Sequence, residues 1–130
     1  FLCLLMSAFA QAHEPISDVK YQDLLKKSPF NSLYPRNYTE ASSAYFDASQ
    51  AIYANGPIKE KEAHLAALAT SAATKCQYCI PFHIAQAKRL GATEDELKAA
   101  VQIAADVMRM STMFYGNEFD LDEFKAMLKN

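Results

Sequence analysis

The apolar positions of the chain recur at helical spacing almost throughout, and no segment alternates with the two-residue period of a strand. Tyr21 to Lys27 is a short helical stretch that ends before Ser28-Pro29, and 30–37, with Pro35 and two asparagines, reads as an irregular connection. Thr39 is placed to cap a helix running to about Ala54, with Tyr45, Ala48, Ile52 and Tyr53 along one side. Asn55-Gly56-Pro57 ends it, and an alanine-rich helix follows from Ile58 to about Thr74. Its small side chains allow close approach by neighbouring helices, which predicts a central position. A further helix is expected from about Gln77 to Leu90, stopped by Gly91. Thr93 with Glu96 three residues on is a capping box, opening a long helix to about Tyr115 that Gly116 closes. Asp120 starts a last short helix ending near Lys129. The fold class is all-α.

The helix after Thr93 carries two apolar stripes: Leu97, Val101, Ala104 and Met108 beside Ala100, Ile103, Val107 and Met110. One stripe suffices for a surface helix. A chain of 130 residues can rarely enclose a helix completely, so the second stripe predicts self-association.

Composition adds exclusions. Only three glycines occur, which argues against a turn-rich β protein. The net charge is −2 with scattered basic residues, so nothing resembles a nucleic-acid footprint. The first ten residues, FLCLLMSAFA, are apolar and lead into small-x-small patterns at Ala8-Phe9-Ala10 and Ala10-Gln11-Ala12. The run is shorter than the ~20 residues a membrane span needs. Residues 1–12 therefore read as a signal-like segment lacking its basic start, 13–38 as an extension with a short helix, and 39–130 as the helical domain. The expectation is a periplasmic or otherwise exported protein, with a cytoplasmic one as the alternative.

Loss of residues 1–12 would remove Cys3 and leave Cys76 and Cys79, too close together to staple distant parts of a fold. Chemistry is the better reason for the pair. Pro81 is tolerated only in the first turn of a helix, so the helix begins near Gln77 or Tyr78 and the cysteines lie at its N-terminal end. A helix N-terminus lowers a thiol pKa by less than one unit, since it contributes only about 0.3–1 kcal/mol. A basic group must supply the rest, and His83 stands four residues after Cys79 on the same face. At ~100° per residue, Cys76, Cys79 and His83 fall within roughly 60° around the axis. The spacing offers a nucleophile, a second thiol able to close a disulfide, and a base. Haem attachment needs His directly after the second cysteine, where Ile80 stands. Zinc held by Cys76, Cys79 and His83 with His64 as fourth ligand is a competing reading, as is an inert buried pair of thiols. Neither a metal nor an organic cofactor is required. Tyr78, between the cysteines, can donate a hydrogen bond to substrate or cover the pair as an aromatic lid.

Ala66 to His83 (AALATSAATKCQYCIPFH), with Ala87, Gly91-Ala92-Thr93 and Glu96-Leu97, resembles the AhpD-like, or alkylhydroperoxidase-like, branch of the carboxymuconolactone decarboxylase family over roughly Thr39 to Tyr115. The resemblance implies a compact helical domain assembled as trimers or hexamers and acting on a hydroperoxide or disulfide, with a dithiol or redox protein as reductant. It implies that Cys79 attacks the peroxide, that Cys76 resolves the sulfenic acid to a disulfide, and that His83 relays protons. The family often has a glutamate twelve residues before the first cysteine; here that position is His64, which can shuttle protons but cannot hold an imidazolium as a carboxylate would. A lyase acting on a lactone, or a helical oligomer binding a small molecule or metal, are the alternatives. Familiar relatives draw on reduced cytosolic carriers, so an exported protein implies a different reducing partner.

Overall fold

The computed structural model describes residues 16–129, so the signal-like segment at 1–12 lies outside the described residues. Six α-helices and two short 3₁₀ segments account for the described fold, with no strand among them. They are α1 (Asp18–Lys27), α2 (Thr39–Asn55), α3 (Glu60–Ala73), α4 (Cys79–Arg89), α5 (Glu94–Gly116) and α6 (Leu121–Met127). The chain divides into two compact units, one ending at Ile52 and the other starting at Tyr53. None of the described helices is long and apolar enough to cross a membrane.

The first unit is held together largely by polar links. Ser17 caps α1, and Lys26 and Lys27 occupy its last turn, where cations oppose the helix dipole. Lys20 pairs with Glu40 at 2.6 Å, Lys27 with Asp47, and Arg36 with Asp18. Such exposed pairs each contribute about 0–1 kcal/mol. Asn31, in the 3₁₀ segment Pro29–Leu33, is buried and donates to the Leu24 carbonyl at 2.7 Å. On α2 the expected apolar side is not the buried one. Thr39, Ser42 and Ser43 are buried, whereas Tyr45 and Ile52 are exposed. Thr39 is the first helical residue, and its hydroxyl donates back to the Pro35 carbonyl instead of capping α2.

In the second unit α3 packs against both α4 and α5, the central position its alanines predict. Leu68, Ala87, Leu97 and Ala100 form the core, with Leu65, Ile80, Ile84 and Ala92 packed against it. The capping box forms as read: the Glu96 amide donates to Thr93 Oγ1 at 3.1 Å and the Thr93 amide to Glu96 Oε2 at 2.7 Å. The two stripes of α5 divide differently from the expectation. Leu97, Ala100 and Ala104 are buried, drawn from both stripes, while Val101, Ile103, Val107, Met108 and Met110 are exposed. The helix is therefore not enclosed within the chain.

Three helices end in the same way, with an amide two residues past the cap bonding back to the last turn. At α4 the left-handed residue of this turn is Gly91, φ 86°, as expected. At α3 it is Lys75, φ 57°, and at α5 it is Glu118, φ 51°. Gly116 is the last residue of α5 and does not form its stop.

Candidate functional site

The sharp end of α3 sets up the cysteines. Lys75 turns left-handed, and the Cys76 amide donates to the Ser71 carbonyl at 3.0 Å, reversing the chain. Helix α4 then starts at Cys79, one or two residues later than Pro81 suggested, because Gln77 and Tyr78 complete a turn first. Cys76 is thus outside the helix proper, and the angular argument from helix periodicity does not apply to it. A different geometry joins the pair. The Ile80 amide donates to the Cys76 carbonyl at 3.1 Å, and the Cys79 amide to Cys76 Sγ at 3.1 Å, in the manner of a capping side chain. The two sulfurs are bonded as a disulfide, with Cα atoms 5.3 Å apart. Both cysteines are half-buried. Tyr78 is 88% exposed and so does not cover them as a lid.

One turn along α4 from Cys79, His83 faces α3. Its Nδ1 lies 3.0 Å from Nδ1 of His64, so the two imidazoles share one hydrogen bond, in which one ring donates and the other accepts. His64 is buried and His83 half-buried. Four aromatic contacts were not legible in the sequence. The Tyr53 ring lies parallel to His64, 4.6 Å between centroids and 16° between planes, and reaches His83 at 5.7 Å and 29°. Phe82 stands edge-on to His83 at 5.0 Å and to His64 at 6.2 Å. Tyr53 reads in the sequence as one more apolar position of α2, and nothing in its spacing points across the Gly56-Pro57 connection to His64.

The charges around the pair follow from this packing. Burial pushes the His64 imidazole below its ordinary 6.5; Glu60 opposes the shift and Arg89 adds to it. Glu60 and Arg89 are themselves paired at 3.0 Å, which leaves the histidines without a carboxylate of their own. His83 is lowered first by burial and then by the neighbouring His64. Both rings are consequently neutral near pH 7, a state in which one can accept a proton.

Among the described residues, no group of three or more His, Cys, Asp or Glu side chains is arranged to hold a metal ion. The four residues singled out from the sequence stand as two pairs: the Cys76–Cys79 disulfide at the start of α4, and a hydrogen-bonded His64–His83 pair between α3 and α4.

Comparison with known proteins places this arrangement. The chain is 28% identical over 75 residues to "Uncharacterized protein 4 in cox locus" of Paracoccus denitrificans, covering 58% of this chain and 68% of that protein. No solved structure matches. The family model described as "Carboxymuconolactone decarboxylase family" matches residues 39–115, a span that runs from the first residue of α2 to the last turn of α5 and contains both cysteines and both histidines. The chain belongs to the carboxymuconolactone decarboxylase family, of which the AhpD-like proteins are a branch.

Proposed function

We propose that this protein is an alkylhydroperoxidase-like thiol-disulfide oxidoreductase that reduces hydroperoxides through Cys76 and Cys79. The observation that carries this reading is the disulfide at the head of the helix that also holds His83. In the reduced protein, His83 donates its Nδ1 proton into the bond with His64 and keeps Nε2 free as a base for the Cys79 thiol. The thiolate attacks one peroxide oxygen and the O–O bond breaks. The departing oxygen takes the proton from the imidazole and leaves as an alcohol, while Cys79 becomes a sulfenic acid. The Cys76 sulfur then displaces that hydroxyl as water and forms the disulfide. A dithiol or redox-protein reductant returns the pair to two thiols, taking the disulfide in exchange. No bound cofactor enters the cycle.

The same reading takes the chain as a homo-oligomer, trimeric or hexameric, and the exposed Ile103, Val107 and Met110 on α5 support an apolar contact between subunits. It also takes the protein as exported, with a reducing partner suited to that compartment.

The test is turnover of an organic hydroperoxide with a dithiol reductant. Cys79→Ser is expected to abolish turnover. Cys76→Ser is expected to permit one oxidation per chain, read as a sulfenic acid trapped by dimedone. The family's name favours a second reading, a lyase acting on a lactone, in which Cys79→Ser keeps full activity. Equal activity in wild type and both variants rejects the cysteine mechanism.

A further inference from the structure

A proton taken from Cys79 must rest on the imidazole pair, and no carboxylate is hydrogen-bonded to either ring. The nearest acid acting on the pair, Glu60 of α3, is engaged by Arg89 of α4. From α5, Glu96 is likewise committed to Lys61 at 2.6 Å. What lies against both rings instead is the face of Tyr53, in the last turn of α2. The face of an aromatic ring carries the negative end of its quadrupole, so a cation centred over it within ~6 Å is attracted. Both imidazoles meet that condition, at 4.6 and 5.7 Å. The contact of Phe82 is different, since its ring plane is steeply inclined to both imidazoles, by 71° and 74°, and does not lie parallel to either.

We propose that Tyr53 is a positioning residue of this site, whose ring face holds the two imidazoles in register and stabilises the proton they carry between the Cys79 thiol and the departing oxygen. The proposal rests on the redox reading for its purpose but not for its measurement, since the charge on the pair can be followed without peroxide. The phenol hydroxyl is not needed: the face, not the oxygen, meets the imidazoles. Phenylalanine at this position therefore preserves the function. A ring of the same shape with its electrons withdrawn does not.

The experiment uses the full chain in its reduced state and follows the ring nitrogens of His64 and His83 by NMR across pH 4.5 to 8. Tyr53→Phe is expected to leave both titrations in place. Tyr53→pentafluorophenylalanine, close to phenylalanine in shape but with the quadrupole reversed, is expected to move the titration of the pair down by about half a unit or more relative to Tyr53→Phe. Alkylation of Cys79 by iodoacetamide, measured over the same range, is expected to slow with it. Unchanged titrations in the fluorinated protein would show that Tyr53 merely fills space and would overturn the proposal. A shifted titration in a protein that never consumes hydroperoxide would leave this role of Tyr53 standing and remove the proposed reaction. The fluorinated ring is the deciding variant, and Tyr53→Phe controls for the loss of the hydroxyl.

Discussion

The two ends of one helical turn of α4 differ in what they meet: a disulfide at one and a buried histidine at the other. At Cys79 the chain is half-open to solvent, with Tyr78 outside and the Cys79 amide donating to the Cys76 sulfur. Four residues later His83 turns inward, under an aromatic ring, to the buried His64, on which the paired Glu60 and Arg89 act. The cysteines and His83 are all half-buried, and it is His64, the partner of His83, that is buried. In the proposed reaction, electrons would pass through the disulfide and protons through the imidazole pair, with one helical turn between Cys79 and His83. An exposed histidine would titrate with the solvent, and a buried disulfide would be closed to a redox partner.

Removing the inner region while sparing the outer one gives the largest effect. His83→Gln keeps a hydrogen-bonding side chain for His64 but cannot take up a proton. Thiol reactivity of Cys79 at pH 7, read as the rate of sulfenic acid formation with one equivalent of hydroperoxide, is expected to fall by roughly 10²-fold or more, in the range of lost general-base catalysis. A rate within a factor of two of wild type would uncouple the two regions.

Next in size is a change in the character of the inner region. His64→Glu supplies the carboxylate that the pair lacks. An anion at that position favours the charged form of His83, so its titration moves up from its present lowered position, and the acid limb of the rate profile moves to higher pH with it. A profile that stays in place would mean that His64 does not set the charge of His83.

The neutral pair also makes the fold sensitive to acid. Both histidines titrate below 6.5 when folded and near 6.5 when unfolded. Between those values the unfolded chain binds more protons, so stability is fully present above about pH 6.5 and declines as pH falls through the window beneath it. Thermal midpoints from pH 7.5 to 5 should show that decline, and His64→Gln, which removes one of the two groups, should flatten it. This effect is smaller than the first two because only part of each ring's environment is lost on protonation.

How much of this was visible in the chain depends on whether the controlling interaction is local. The capping box at Thr93 and Glu96 and the stop at Gly91 each involve residues within four positions, and each could be read directly. The helix start was displaced because Pro81 limits where a helix can begin without fixing it, and the Schellman turn at Lys75 uses up the residues before Cys79. Tyr53 was misread for a longer-range reason. Its apolar spacing on α2 fits a core stripe, yet its neighbours Tyr45 and Ile52 are exposed, and only packing across the turn to α3 brings it onto His64. His64 itself could be singled out because its position, not its surroundings, matched a pattern.

The smallest test concerns the backbone that delivers the outer region. Lys75 sits at φ 57° immediately before Cys76, a conformation that costs a residue with a Cβ about 1–2 kcal/mol relative to right-handed geometry. Gly91 performs the same task at the end of α4 without that cost, and a Cβ added there meets nothing within 4 Å. The two ends can therefore be exchanged as a pair of experiments on backbone preference alone. Lys75→Gly removes the left-handed penalty but gives the unfolded chain more freedom, worth about 0.4–1 kcal/mol in the other direction, so a net gain of up to ~1 kcal/mol is expected. Gly91→Ala should lose a similar amount, since the same two contributions apply with signs reversed. Urea midpoints measured on the oxidised protein decide the sign of each. Should Lys75→Gly instead lower the midpoint, the lysine side chain must make a favourable interaction in the folded state that outweighs its backbone, and the turn ahead of Cys76 would be held by more than its hydrogen bonds to Ser71 and Ala72.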